Sequence, residues 1–407
     1  MKIAFSPPDI GEEEIAGVVD ALRSGWITTG PKTKAFEAEL ARYCHTARAV
    51  CLSSATAAME LTLRLLGIGP GDEVITSAYT YTASAAVIAH VGAKLVLVDT
   101  AKGSYQMDYD RLAEAITPRT KAVIPVDVGG AMCDYDRIFA VLEEKKGLFC
   151  ANNHRQAAFD RVIVIADAAH SLGATYNGER SGAVADFSCF SFHAVKNLTT
   201  AEGGAITWKK RQGMDDDEIY RELMLYALHG QSKDALAKLK PGAWEYDILF
   251  PGYKCNMTDI SAAIGLAQLK RYESLLTRRR EIMAVYDAAL HPLGVETLAQ
   301  DTTCGRGNGH LYLTRIPGIG ETVRNELIQA MADAGIATNV HYKPLPLLTA
   351  YKNMGFDIAD YPMAYAQYQN EITLPLHTLL SDDEAAYVAQ TFRKLVYMVN
   401  RDIGKFV

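Results

Sequence analysis

Between residues 47 and 208 the chain alternates short apolar runs with helical stretches, and this pattern constrains the fold more than any other feature. Runs at 47–52, 73–76, 94–98, 122–126, 162–166, 186–192 and 204–208 read as strands, and 56–66, 83–91, 108–115 and 134–146 read as helices. Strands that are apolar throughout, spaced by helices, predict a parallel or mostly parallel sheet covered on both faces. Such a sheet collects ligands at the carboxyl ends of its strands. Two helices precede it. Asp9 is placed to cap the first, whose apolar stripe is Ile15, Val18, Val19 and Leu22 and which stops at Ser24 and Gly25, and the second covers 34–43. From Thr258 the pattern changes to a long helix from Asp259 to near Leu290, strands at 311–316, 336–342 and 372–376, and helices at 322–334 and 382–398. The expectation is an α/β chain of two units: residues 1–257, with the N-terminal helical segment, and 258–407, a smaller α+β unit with the long helix as connector. Residues 147–161 read as a polar, irregular surface insertion.

Asp167 closes the apolar run at 162–166, and Lys196 follows in the stretch Ser191-Phe192-His193-Ala194-Val195-Lys196-Asn197, ahead of Glu202-Gly203-Gly204. Singly each residue has an ordinary reading, a capping acid and a solvated lysine. Together they form the layout that pyridoxal phosphate chemistry needs. The amine anchors the cofactor as a Schiff base, and the carboxylate keeps the pyridine nitrogen protonated so that the ring accepts electrons. Once free, the same amine is the base that shifts the proton. Small residues at 203–204 let the backbone approach a bulky group. His170 is placed to meet the cofactor's phenolic oxygen. Ser53-Ser54-Ala55-Thr56-Ala57-Ala58 runs from a strand into a helix, so its amides suit a phosphate, with Ser191 as a hydroxyl donor. Of Tyr79 and Tyr81, the second is the better candidate to lie on the pyridine ring, and the first for core packing.

Composition limits the partners. A net charge of −7 argues against nucleic acid or an anionic membrane. Seven dispersed cysteines without a CxxC pair suggest reduced thiols and a cytoplasmic setting. Cys150 and His154 lack the second pair that a metal site needs, so no metal is expected. No apolar run approaches membrane-spanning length, and the N-terminus lacks a signal peptide's apolar core.

Taken together, these motifs closely resemble the DegT/DnrJ/EryC1/StrS family of sugar aminotransferases, within the fold-type I, three-layer αβα pyridoxal phosphate enzymes. The likeness runs from Gly25-Trp26-Ile27-Thr28-Thr29-Gly30-Pro31 through Gly71-Asp72-Glu73-Val74-Ile75, Asp167-Ala168-Ala169-His170 and Lys196. It continues over Gly252-Tyr253-Lys254-Cys255-Asn256-Met257-Thr258-Asp259 and Arg278-Arg279-Arg280 to His341-Tyr342-Lys343-Pro344-Leu345. The resemblance implies Lys196 as the Schiff-base lysine, Asp167 at the ring nitrogen, His170 at the ring oxygen, where many members have glutamine, and Tyr81 on the ring. It implies Ala55, Thr56 and Ser191 at the phosphate, and a homodimer with shared sites in which Lys254 reaches the neighbour's phosphate. Lys254, where many members have asparagine, and Phe192-His193-Ala194 look like the aminoarabinose-forming branch. Trp26, Thr29, His341 and Lys343 are candidate substrate contacts. Members with histidine in place of the lysine dehydrate sugars, so Lys196 favours transamination. The expected reaction moves an amino group from L-glutamate to a nucleotide-linked keto-sugar, a 4-keto-6-deoxyhexose, in two ping-pong stages. Alternatives are a keto-cyclitol or 3-keto sugar as acceptor, a β-eliminating lyase, or a cofactor-binding regulator, the last opposed by the acidic charge. Two departures stand out: Asp127 where a histidine is common, and the length of 147–161.

Overall fold

The computed structural model describes residues 1–232 and 245–402. A seven-stranded sheet runs in the spatial order Ala49–Leu52, Gly204–Trp208, Phe187–Ser191, Ile163–Asp167, Thr120–Ile124, Glu73–Ser77, Lys94–Val98. Gly204–Trp208 pairs antiparallel with both of its neighbours, and the remaining pairings are parallel. Side chains alternate between two buried faces. Val50, Leu52, Val74, Ile163, Ile165 and Phe187 point into one core with Met59, Leu63, Val87 and Leu223 of the helices covering that face. Cys51, Ile75, Val123, Val164 and Phe190 point into the other with Phe36, Leu40, Leu112, Ile138 and Leu275. Helices thus cover both faces, which is the three-layer arrangement expected for fold type I. A third core, built from Ile282, Tyr286, Tyr312, Leu327, Ile372 and Phe392, lies around the three-stranded sheet of Glu296–Thr297, Tyr312–Arg315 and Glu371–Leu374.

Several elements differ from the sequence reading, each for a visible reason. The helix Glu12–Ser24 is capped through the Gly11 amide, which donates to Glu14 at 2.8 Å, and not by Asp9. Asp9 instead pairs with Arg271 at 3.0 Å and accepts from the Thr378 hydroxyl. The stripe of that helix faces outward: Ile15 is 49% and Leu22 53% exposed, while Glu14, Gly17 and Ala21 turn inward, with Gly17 close against Ala263. The long helix is two, Asp259–Lys270 and Tyr272–Leu290, broken where Arg271 leaves helical geometry and sends its guanidinium to Glu14 and Asp9.

Residues 336–342 form only isolated bridges, Ile336 to Ile3 and Asn339 to Thr373. Near their end the Tyr79 hydroxyl takes the His341 carbonyl, and the Glu371 carboxylate takes its amide. Residues 147–161 are docked onto the body. Asn153 caps the short helix His154–Ala157, buried Gln156 donates to the Leu66 carbonyl, Asn152 donates to Asp72, and Arg155 pairs with Glu222. Glu222 lies on Asp216–Ala227, a helix the sequence reading did not separate.

Candidate active site

The carboxyl edge of the large sheet carries the site, because there strands end and helices begin. Asp167 is the last residue of Ile163–Asp167 and is buried. The Ser84 hydroxyl donates to its Oδ2 at 2.6 Å and the Ala169 amide to its Oδ1 at 3.2 Å. Burial raises its pKa, and these two bonds and the nearby Lys196 amine only partly offset the desolvation. A carboxylate in this state is suited to a cation beside it.

Lys196 follows the strand Phe187–Ser191 in a loop whose Phe192 and Leu198 anchor it in the core. Burial pulls its pKa down to about 8, against the upward pull of Asp167. The amine is therefore far easier to neutralise than a solvated lysine, as a nucleophile or base needs.

His170 is held in one tautomer. The Gly129 amide donates to its Nδ1 at 3.1 Å, so Nε2 carries the proton, 3.1 Å from the Tyr342 hydroxyl. Its pKa lies well below the ordinary value because it is buried near Lys196, so the ring is a neutral donor. Asp127 lies beneath it and does not line the cavity. It accepts from the Cys133 amide, the Tyr135 hydroxyl and the Ser171 hydroxyl, and burial pushes it up to about 6. That departure braces the turn after Asp167.

On the other side, the helix Ala55–Leu65 starts at the end of Ala49–Leu52, with Ser54 capping through a bond from the Ala57 amide. The amides of Ala55 and Thr56 precede any intrahelical acceptor and form an anion-binding start. Gly204 lets the neighbouring strand press directly onto Ser54 and Ala55.

These residues converge. A cavity of about 490 Å³ is lined by Ala55, Thr56, Tyr81, Asp167, His170, Ser191, Lys196 and His341. Tyr81 is 61% exposed and stands 6.0 Å, ring centre to ring centre, from Tyr342. Tyr79 is buried in the core with its hydroxyl on the His341 carbonyl.

Four candidates stand apart from this lining. Lys254 donates to Asn256 on a separate loop. Thr29 is buried and donates to the Met257 carbonyl at 2.6 Å, which ties the loop before Pro31–Tyr43 to the start of Asp259–Lys270. Trp26 packs beside Gly30, and Lys343 is exposed.

The sequence reading also missed residues that the site uses. Ser84 lies on the helix Thr82–His90, and nothing in its surroundings marks it as the partner of Asp167. The His310 ring lies 4.3 Å, centre to centre, from that of His170, tilted by 45°, and is held by Asn197 at 2.9 Å. Phe5 and Ser6 reach the cavity because Ile3 bonds the backbone around Gly335 and Ala337. Among the described residues no group of three metal-ligating side chains gathers, and no helix is long and apolar enough to cross a membrane.

A model of the DegT/DnrJ/EryC1/StrS aminotransferase family matches residues 8–393. The chain belongs to that family. It is 39% identical over 400 residues to the spore coat polysaccharide biosynthesis protein SpsC of Bacillus subtilis, covering 97% of each chain. Among solved structures it is similar to the putative sugar aminotransferase Spr1654 of Streptococcus pneumoniae in its PMP form, with a TM-score of 0.96 and 57% identity over 98% of this chain and 100% of that one. It is also similar to PseC of Helicobacter pylori, an aminotransferase involved in pseudoaminic acid biosynthesis, with a TM-score of 0.82 and 27% identity over 98% and 100% of the two chains. Spr1654 is known in PLP and PMP forms. The chain is accordingly a pyridoxal phosphate-dependent aminotransferase of the sugar aminotransferase family.

Proposed function

We propose that this aminotransferase moves an amino group from L-glutamate to a nucleotide-linked keto-sugar, a 4-keto-6-deoxyhexose, and that two copies of the chain share each site. The observation that carries the reading is buried Lys196, whose pKa burial lowers to about 8, sharing with buried Asp167 a cavity that also offers an anion-binding helix start.

Pyridoxal phosphate, when bound, supplies an aldehyde that takes up amines and a ring that accepts electrons. The residues present fit it. Ala55, Thr56 and Ser191 suit its phosphate, Asp167 its ring nitrogen, the His170 Nε2–H its ring oxygen, and Tyr81 its face. Lys196 would anchor it. The same amine then takes the α-proton of the amino donor and returns a proton to the acceptor carbon. His341, which lines the cavity, and exposed Lys343, outside that lining, are the proposed contacts for sugar hydroxyls and nucleotide phosphates.

The sugar assignment is supported by the likeness to Spr1654 and PseC, and a role in making polysaccharide by the likeness to SpsC. Pairing of two copies is supported by the outward stripe of Ile15 and Leu22, continued by exposed Ile27, and by Lys254, which lies off its own chain's cavity. In this reading residues 1–257 form the large cofactor-binding unit and 258–407 the smaller unit, with 233–244 and 403–407 outside the described residues. The setting is cytoplasmic, in keeping with seven unpaired cysteines.

The test is the absorption spectrum of the purified protein, titrated with L-glutamate and then with UDP- and dTDP-linked 4-keto sugars. The cofactor band is expected to bleach with glutamate and return with one keto-sugar. A band that glutamate does not move would sink the donor assignment.

Asp167→Asn is a second check. Because Ser84 can turn its hydroxyl to suit an amide, the cofactor-free fold should hold within about 1 kcal/mol of wild type by urea melt. Turnover should nevertheless fall about 10²-fold or more, since the ring nitrogen loses its charged partner. Near-wild-type turnover would place the electron sink elsewhere.

A further inference from the structure

Behind the cavity wall lies a buried acid that the reaction, as described so far, does not use. Glu371 begins the strand Glu371–Leu374 and is wholly buried. One carboxyl oxygen accepts from the His341 amide at 2.8 Å, and the other is 2.6 Å from the Thr373 hydroxyl. That hydroxyl is in turn 2.8 Å from His341 Nδ1. The His341 ring lines the cavity, stacked on Phe5 at 5.7 Å and 22°, while its carbonyl is fixed by Tyr79. Carboxyl, hydroxyl and imidazole thus stand in line, and the imidazole nitrogen at the far end, Nε2, belongs to the wall of the site.

We propose that Glu371, Thr373 and His341 form a proton relay that gives a proton to, and recovers one from, a substrate oxygen in the cavity. In the forward direction the His341 Nε2–H bond breaks as an O–H bond forms on the substrate. Nδ1 takes the Thr373 hydroxyl proton, Thr373 takes the proton of the Glu371 carboxyl, and Glu371 is left as a carboxylate. One proton is delivered, no electrons are transferred, and the imidazole stays neutral while changing tautomer. The reverse sequence recharges the acid. The identity of the oxygen rests on the keto-sugar reading: a ketone oxygen must collect protons to leave as water when an amine takes its place.

Two features favour a relay over a scaffold. Among the described residues no cation sits on the Glu371 carboxyl. The nearest guanidinium, Arg324, binds the Tyr368 and Glu371 backbone carbonyls, and the other groups facing the acid are the neutral hydroxyls of Tyr79, Tyr105 and Tyr342 together with His341. A buried acceptor needed only for shape is served as well by an amide, without the cost of a desolvated charge. Second, burial pushes Glu371 up to about 8, while burial and the facing Lys196 amine, beside neutral His170 and His310, pull His341 down to about 4. Near neutrality the acid can hold or release its proton while the ring stays uncharged, and Glu371→Gln leaves the Lys196 titration in place as its control.

The test is histidine-selective nitrogen-15 NMR of the cofactor-free protein across pH, with no substrate present. In the wild type the His341 proton is expected on Nε2 below about pH 8 and on Nδ1 above it. Glu371→Gln, whose oxygen must take the His341 amide so that its NH2 faces and donates to Thr373, should keep it on Nε2 throughout. In the loaded enzyme, Glu371→Gln and Thr373→Val should lower kcat with the keto-sugar about 10²-fold while leaving KM little changed, and Thr373→Ser should restore it. A His341 tautomer that does not respond to pH in the wild type overturns the relay, as does equal turnover in the Val and Ser variants. Should Glu371→Gln fail to fold, the pair at Thr373 still decides. Because the tautomer is read without substrate, a failed sugar assignment leaves this result standing.

Discussion

Lys196→Met is expected to lose at least about 10⁴-fold in turnover and, in its cofactor-free form, to be more stable than the wild type at pH 7. Both effects come from one placement. The amine that must become free to react is held where its charge is poorly solvated, so its pKa falls from an ordinary 10.5 to about 8. Below pH 8 the lysine is charged in both folded and unfolded chains, and the folded chain bears the cost, at most about 3 kcal/mol. Between pH 8 and 10.5 the unfolded chain binds more protons than the folded one, so this penalty disappears as pH rises. Urea melts of cofactor-free wild type and Lys196→Met should therefore differ most near pH 7 and converge towards pH 10.5. A methionine variant that is less stable at pH 7 would mean that the amine is satisfied by contacts that outweigh its burial.

The acids of the site act in the opposite sense. Asp127, at about 6, and Glu371, at about 8, sit above their ordinary values because they are buried. The folded chain holds their protons over a window where the unfolded chain has lost them, and stability falls as pH rises through that window. Burial of three ionisable groups around one cavity is thus a cost that the fold carries for its chemistry.

The large sheet was legible because its strands are apolar on both faces and its helices short, so period and burial agree. The three groups proposed to carry the cofactor chemistry come together in the structure for a related reason. Asp167, Lys196 and the Ser54–Thr56 turn each sit where a strand of that sheet ends, and the sequence order places them on one edge. What escaped depends on contacts between distant segments. Ser84 meets Asp167 across 83 positions, His310 meets Asn197 across 113, and Arg155 meets Glu222 across 67. A hydrophobic pattern also cannot tell which burial it serves. The stripe of Ile15 and Leu22 has helical spacing and yet faces out, because Gly17 and Ala21 allow the closer approach to Asp259–Lys270. Thr29, read as a substrate contact, instead joins two helix starts within the chain.

Gly204→Ala carries the second large effect, and it acts through backbone alone. Gly204 opens the antiparallel strand that lies between Ala49–Leu52 and Phe187–Ser191, in register with Leu52 on one side and Ser191 on the other. A Cβ there would stand 2.5 Å from the Ala55 nitrogen and 2.6 Å from the Ser54 oxygen. Neither atom is the end of a flexible side chain. They are the cap and first residue of the helix whose amides are proposed to hold the phosphate, so relief requires the strand or the helix start to move. Overpacking against backbone of this kind is expected to cost about 3 kcal/mol in the cofactor-free protein. Displacement of the Ala55 and Thr56 amides by a fraction of an ångström should also weaken pyridoxal phosphate binding about tenfold or more, since donors aimed at an anion lose strength with misalignment. Gly147→Ala is the control: nothing lies within 4 Å of its Cβ position, and its stability should stay within about 0.5 kcal/mol of wild type. Urea melts and a spectroscopic titration with pyridoxal phosphate read both quantities. If Gly204→Ala loses stability but binds the cofactor as tightly as wild type, the strand has yielded and the helix start has not, and the phosphate contact does not depend on this close approach.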